Sequence, residues 1–532
     1  MTQEAVYYFD TTLRDGTQGE NVSFSAEDKV RIARKLDSLG IHYIEGGWPG
    51  SNPKDMEFFQ RVCNEVFLTA RIVAFGSTMR FGNTPENDPN IQALIEAKTP
   101  VVSIFGKSWT LHVEQALAIS QDQNLSLIRE SVAYLKSQGR EVIYDAEHFF
   151  DGYKSDPNYA ICTLLAAQEA GANWLVLCDT NGGTLSHEVE RIVTEVHKRV
   201  QTPLGIHAHN DAEMAVANSV AAVRAGCRQV QGTINGYGER CGNANLCSVI
   251  PNLQLKLGYK GIHSEQLRNL TNVSVFVSEL ANLSHHNQLP YVGKSAFAHK
   301  GGIHVSAVIK NPFTYEHISP ETIGNGRRVL LSDLSGRSNI KFKAEELNLD
   351  LDRFEDKIPE IVQELKQREY EGFMYEAAEA SLELLIRKLT HNTLDAFDFK
   401  GFRMMIEKNE GEVIRSEATI RVNVNGVNEH TAAEAVGPVH ALDMALRKAL
   451  IKFFPEINEM QLSDYKVRVL NEKDATQARV RVLIDSTCNG ETWGTVGVSE
   501  NIIEASWQAL MESFSYYLIH HYKPEPTVQQ PS

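Results

Sequence analysis

The residues best suited to chemistry in this 532-residue chain lie in short polar segments that follow apolar runs. His207 and His209 stand two apart in Leu204-Gly-Ile-His-Ala-His-Asn-Asp211. On a strand, this spacing puts both imidazoles on one side with Cα atoms roughly 7 Å apart, near enough to share one ion. Taken alone, such a pair is equally a hydrogen-bonded polar strand end. Asp15 and Asn243 add hard oxygen donors. Two nitrogens and two oxygens suit Mg²⁺ or Mn²⁺, with Zn²⁺ also admissible. One carboxylate against a divalent ion leaves net positive charge, which favours an anionic chelating substrate such as a 2-keto acid. Arg14, next to Asp15, can polarise a keto oxygen and stabilise an alkoxide; its plainer role is a surface ion pair. Glu147 is a rim carboxylate able to transfer protons, although many such groups only accept loop hydrogen bonds. Thr180 can hydrogen-bond a substrate carboxylate. Gly236-Tyr-Gly238 with Gly242 has the wrong spacing for a dinucleotide fingerprint and follows a late strand, so nicotinamide binding is rejected. Cys241 has no recognisable activating base and is read as inert packing.

These groups need a frame that brings them together, and the first half of the chain supplies its pattern. Apolar, β-rich runs fall near Val6–Asp10, His42–Glu45, Ile72–Phe75, Val101–Ile104, Glu141–Asp145, Trp174–Asp179, Leu204–Ala208 and Gln229–Ile234. Helix signals lie between them. Ser25-Ala-Glu-Asp28 reads as a capping box, and Gly40 as the stop of the helix it opens. Eight β/α units with near-continuous apolar strands predict a closed (β/α)₈ barrel over residues 1–265, with a doubly wound open sheet as the rival. Barrel active sites lie at the C-terminal strand ends, where Asp15, Glu45, Asp145, Glu147, Thr180, His207, His209 and Asn243 fall.

Residues 266–390 read as a mainly helical connector with one loop-rich stretch, Phe297–Arg328. Residues 391–522 read as an α+β domain of two ββα repeats, Ser416–Leu450 and Gln477–Phe514, each with an Asn-Gly turn. Residues 523–532 read as a loose tail. The overall fold class expected is therefore α/β, a barrel followed by a connector and an α+β domain.

Charge and composition exclude other classes. Lys plus Arg number 52 against 68 Asp plus Glu, a formal charge of −16, which lacks the basic footprint of a nucleic-acid binder. No apolar run approaches the roughly 20 residues of a membrane span, and the start has neither a basic nor an apolar leader region. The expectation is a soluble, unprocessed, cytoplasmic chain with no membrane partner. Seven scattered cysteines without a C-x-x-C pair are expected to be reduced thiols, most of them small core residues.

Five segments together, DTTLRDGTQ, YIEGGWPGSNPKD, CDTNGG, HAHND and GYGERCGNAN, resemble the metal-dependent acyltransferase and lyase family that contains 2-isopropylmalate, homocitrate and citramalate synthases. Hydroxymethylglutaryl-CoA lyase is a more distant relative. HKGGIHVSAV, SGRSNI and the C-terminal repeats are similar to the connector and amino-acid-sensing domain of the isopropylmalate synthase branch. The resemblance implies metal ligation by Asp15, His207, His209 and Asn243. It also implies keto-acid contacts by Arg14 and Thr180, and proton transfer by Glu147. His304 and Tyr315 fit the places of a connector histidine and tyrosine that complete the site across a homodimer. Tyr-Asp-Ala before Glu147, and His148 after it, depart from the isopropylmalate synthase pattern. EGGWPGSNPKD is most like the long citramalate synthases, which condense acetyl-CoA with pyruvate; Trp48 would narrow the pocket to a methyl group. The same resemblance implies isoleucine as feedback inhibitor. Alternatives are a family member with another 2-keto acid, or a catalytically dead amino-acid sensor on the same fold.

Overall fold

The computed structural model describes residues 4–330, 337–346, 352–390, 396–411, 413–470 and 478–521. The chain divides into two compact units: Met1–Phe297 with Glu316–Arg327, and Ala298–Tyr315 with Arg328–Ser532.

Eight parallel strands close into a barrel in the first unit: β1 (Tyr7–Asp10), β2 (Tyr43–Gly47), β3 (Arg71–Ser77), β4 (Val101–Lys107), β5 (Glu141–Glu147), β6 (Trp174–Asp179), β7 (Leu204–Ala208) and β8 (Gln229–Gly232). The rival open sheet is excluded by the last seam, where Tyr7 to Asp10 pair with Gln229 to Gly232 in parallel. The strand read to Ile234 ends at Gly232, because Asn235 takes a left-handed φ of 62° inside a short turn of helix. Strands covered on both faces have no polar alternation, and all six residues of β6 are buried. Phe9, Tyr43, Val73, Val101, Ile143, Trp174, Val176 and Cys178 form one apolar cluster of strand residues. The opposite strand faces pack on helices such as Ala26–Leu39, which carries the expected Ser25/Asp28 capping box and ends at Gly40 with φ 96°. Its Val30, Ala33, Leu36 and Leu39 are buried, each large side chain contributing about 1.5–3 kcal/mol.

The boundary expected at 265 falls inside this unit. Leu270, Val273 and Val277 of the helix Leu270–Leu280 join the barrel core, and Thr271 Oγ1 donates to Ile323 O at 2.9 Å.

The second unit contains a two-residue parallel pair, β9 (Ala298–His299) with β10 (Arg328–Val329), and two antiparallel sheets. One sheet is β11 (Asp398–Glu407), β12 (Arg415–Val424) and β13 (Val427–Ala435); the other is β14 (Gln461–Val469), β15 (Val480–Cys488) and β16 (Glu491–Ser499). The helices Pro438–Leu450 and Ile502–His521 follow them and share one apolar core with both sheets. Each repeat is therefore βββα, a correction to the ββα reading. The extra strands, β11 and β14, are largely exposed; β11 has no clean alternation, whereas β14 carries one in Tyr465-Lys-Val467-Arg-Val469 that the repeat boundaries left out. The Asn-Gly hairpins are present: Asn425 and Gly426 have φ of 50° and 84°, and Asn489 and Gly490 have φ of 50° and 86°, the double left-handed turn that two-residue loops require. The connector helix Ile358–Glu371 buries Ile358, Ile361 and Leu365. Ser335 and Gly336 of SGRSNI, Gln477 at the start of the second repeat, and the tail 523–532 lie outside the described residues.

All seven cysteines are free; Cys178, Cys227, Cys247 and Cys488 are buried, whereas Cys241 is exposed, which overturns its reading as packing. Among the described residues no helix is long and apolar enough to cross a membrane.

One buried ion pair ties the first helix to the mouth of β2. Lys29 Nζ, 1% exposed, donates to Asp55 Oδ1 at 2.5 Å and to Gly46 O at 3.0 Å, while Asp55 Oδ2 accepts the Trp48 backbone N–H at 2.9 Å. Lys29→Ala leaves that carboxylate uncompensated and is expected to cost about 3–5 kcal/mol. Calorimetric melting will show a lowered midpoint for the first unit; an unchanged midpoint would contradict this account.

Candidate metal centre and active site

Asp15 sits in the turn after β1, His207 on β7 and His209 just beyond it, and Asn243 bridges to His209 from the loop after β8. All four are buried. His207 Nε2 lies 3.4 Å from Asp15 Oδ2, 3.3 Å from His209 Nε2 and 3.2 Å from Asn243 Nδ2. His209 Nε2 is 3.9 Å from the same Asp15 oxygen. Ligand atoms of Asp15, His207 and His209 all lie within 4.8 Å of one another, the geometry of a possible three-residue metal site. Asn243 completes the group when its amide is turned to present oxygen at the position of Nδ2.

The glycines of GYGERCGN make this approach possible. A Cβ on Gly238, at φ 154°, would stand 1.8 Å from Asn243 Oδ1. The loop is glycine-rich because the backbone must close around Asn243, and not because it cradles a phosphate.

The donor chemistry fits a cation. Burial works to raise the Asp15 carboxyl, but Arg14 and the two imidazoles outweigh it and hold the group well below the usual carboxylate range. Burial lowers the His207 imidazole, Asp15 raises it, and the balance is upward. His209 is pushed down to about 4 by burial and by His207, so its ring is neutral at pH 7 and offers a lone pair. Asp15 Oδ1, His209 Nδ1 and Asn243 Oδ1 are buried without a hydrogen-bond partner. For Asp15 the desolvation penalty of about 1–3 kcal/mol is one that a bound ion can offset. Nitrogen and oxygen donors with no thiolate match a divalent ion of intermediate or hard character.

Arg14 is held firmly beside this group. Its Nε donates to Glu45 Oε2 at 2.6 Å and its Nη1 to Asp15 Oδ2 at 3.1 Å, and the guanidinium lies 3.8 Å above the Phe75 ring. Burial lowers its pKa, but Glu45 and Asp15 more than offset this, so the charge is permanent. Burial pushes Glu45 up to about 7 against the pull of Arg14. Phe75 stacks on Phe105 at 5.5 Å, and Trp48 meets both rings edge-on.

These groups surround a cavity of about 180 Å³ at the barrel mouth, which also receives Glu147, Thr180 and Glu239. Glu147 pairs with Lys107, and Thr180 Oγ1 accepts the His148 N–H at 2.8 Å. The first unit thus brings together every expected site residue except His304 and Tyr315. Those two lie in the second unit, both exposed, with ring centroids 4.2 Å apart.

Several residues of this site carried no assigned role in the sequence reading. Glu45 and Asp145 were noted only as polar strand ends. Gln231 signals itself as an amide inside a buried strand, and Lys107 as a charge at a strand end. Nothing in the sequence marks Phe75 and Phe105, because apolar strand residues look alike whether they line a core or a cavity.

Residues 5–274 match the family described as HMGL-like, residues 291–372 the homocitrate synthase post-HMGL domain-like family, and residues 376–518 the LeuA allosteric (dimerisation) domain. The chain is 56% identical over 518 residues to the (R)-citramalate synthase of Aquifex aeolicus, covering 97% of this chain and 98% of that one. It is 57% identical over 514 residues to the (R)-citramalate synthase of Geobacter sulfurreducens, covering 96% and 97%. A probable 2-isopropylmalate synthase of Methanopyrus kandleri is 33% identical over 511 residues, covering 96% and 97%. The chain belongs to the HMGL-like family and, within it, to the (R)-citramalate synthases.

Proposed function

We propose that the chain condenses acetyl-CoA with pyruvate and hydrolyses the resulting thioester to (R)-citramalate and CoA, for isoleucine biosynthesis in the cytoplasm. The observation that carries this reading is identity above one-half, along nearly the whole chain, to relatives named for that activity. Asp15, His207, His209 and Asn243 would hold a divalent cation, Mg²⁺ or Mn²⁺ in preference to Zn²⁺. When bound, the ion supplies Lewis acidity toward the keto and carboxylate oxygens of a 2-keto acid.

The chain's own residues do the rest. Arg14, immobilised by Glu45, Asp15 and Phe75, offers a fixed positive charge where negative charge develops on the keto oxygen. Thr180 receives the His148 N–H and keeps its own hydroxyl hydrogen for the substrate carboxylate. Trp48, Phe75 and Phe105 form the apolar wall that a methyl group meets. Glu147 serves in a proton relay that His304 and Tyr315 would complete across the homodimer: a methyl proton leaves acetyl-CoA, the enolate carbon attacks the keto carbon, and water then cleaves the thioester. The catalytic segment runs past residue 265 to include the helix Leu270–Leu280, the rest of the connector to 390 completes the site, and 391–522 serve dimerisation and sensing.

The LeuA-type region supports a homodimer with feedback control. In the second unit a cavity of about 640 Å³ is lined by Asp443, Arg447, Leu462 and Tyr465, among others. Arg447 Nε bonds both Asp443 oxygens at 3.1 and 2.9 Å. An acid and a base beside apolar surface suit the two charges and side chain of isoleucine.

Three measurements test this reading. Asp15→Ala and His207→Ala are expected to abolish calorimetric Mn²⁺ binding and to lower thiol release from acetyl-CoA plus pyruvate by at least about a hundredfold; retained turnover would remove the centre. Steady-state kcat/KM should favour pyruvate over 2-ketobutyrate and 2-ketoisovalerate, by roughly 10- to 200-fold for each added carbon. A preference for 2-ketoisovalerate would move the chain to the isopropylmalate branch, and no turnover of any 2-keto acid would favour a sensor. Asp443→Ala should weaken inhibition by isoleucine while leaving the uninhibited rate unchanged; undiminished inhibition would place the effector elsewhere.

A further inference from the structure

A chain of hydrogen bonds runs through the barrel interior to the back of His207. Ser103 on β4 donates its hydroxyl to Asp145 Oδ2 at 2.7 Å. Gln231 on β8 donates Nε2 to Asp145 Oδ1 at 3.1 Å. Gln231 Oε1 then lies 2.9 Å from His207 Nδ1. Ser103 and Gln231 are wholly buried, and Asp145 and His207 are 4% and 6% exposed. A buried polar chain beside the apolar strand cluster that holds Tyr43, Val101, Ile143 and Val176 is costly to keep. Packing alone gives no reason to retain it.

The order of donors and acceptors along the chain is fixed at one end. A carboxylate accepts and does not donate, so Asp145 takes the Gln231 amide by its nitrogen. The amide oxygen must therefore face His207, and the imidazole must place its hydrogen on Nδ1. The lone pair is left on Nε2, the atom that lies 3.4 Å from Asp15 and 3.3 Å from His209. With the Gln231 side chain reversed, His207 would carry its hydrogen on Nε2 and point it into the group of ligands.

We propose that Gln231, oriented by Asp145 and Ser103, is a positioning residue that fixes the His207 tautomer and so prepares Nε2 to bind the cation. This inference rests on the metal-centre reading given above. It touches neither substrate nor ion directly, and its effect reaches the reaction only through His207.

The test uses the full-length protein, stripped of metal and titrated with Mn²⁺ in a calorimeter, with the melting midpoint of the metal-free form measured alongside. Gln231→Met removes the acceptor at similar volume and is expected to weaken Mn²⁺ binding by about 10- to 100-fold with little change in the metal-free midpoint. Gln231→Glu, kept protonated by the adjacent Asp145 carboxylate, donates to Asp145 and presents its other oxygen to Nδ1, and should recover the parental affinity. Parental affinity in Gln231→Met, or equal losses in both variants, overturns the proposal. So does a loss matched by a collapse of the metal-free midpoint in Gln231→Met alone, if nitrogen-15 spectra of the Mg²⁺-loaded parent show the His207 hydrogen on Nε2. A hydrogen on Nδ1 in those spectra supports the proposal whether or not either variant folds. If the unmodified protein binds no divalent ion, the metal-centre reading fails first, and that result is distinct from all of these.

Discussion

The barrel mouth depends on holding one buried carboxylate, Asp15, against two buried imidazoles. A buried carboxylate is expensive unless paired. Here Arg14 supplies the pairing charge, Glu45 and Phe75 hold Arg14, and His207 contributes its own attraction. The cost is met locally, so the remaining strand ends are free to carry groups chosen for chemistry. The mouth accordingly carries Glu147, Thr180 and Glu239 above the apolar strand cluster deeper in the barrel.

The same dependence explains why residues so distant in sequence meet. Asp15 belongs to the first β/α unit, His207 and His209 to the seventh, and Asn243 to the loop after the eighth. In a doubly wound open sheet the first and last strands would not pair. The parallel seam from Tyr7–Gln229 to Asp10–Gly232 makes them neighbours, and the glycines around Asn243 let its loop fold back onto His209.

Much of this was legible in the residues themselves. The eight strands could be found because parallel strands covered on both faces are short, apolar and regularly separated by helix signals. The ligand set could be found because His207 and His209 share a strand face and polar residues gather at strand ends. What stayed hidden depends on packing across the barrel. Phe75 and Phe105 differ in no local way from core residues, yet they wall the cavity; Gln231 looks like one amide among several until Asp145 and His207 are seen on either side of it. In the second unit the Asn-Gly hairpins were readable from turn chemistry and β14 from the alternation of Tyr465, Val467 and Val469, whereas β11 was not, since an exposed edge strand is specified by its neighbour more than by its own pattern. Cys241 was misjudged because exposure on a loop leaves no periodic trace.

The seam between the first and eighth strands also sets a schedule for biogenesis. The residue partnering Tyr7 is Gln229, so ring closure waits on more than two hundred further residues leaving the ribosome. At about 5–20 residues per second that delay is roughly ten to forty seconds. Throughout it, the Asp15 turn lacks the imidazoles that compensate its charge. A nascent chain of this protein therefore passes through a long period with an unfinished edge on its earliest strand, when trapping by chaperones or by other nascent chains competes with closure.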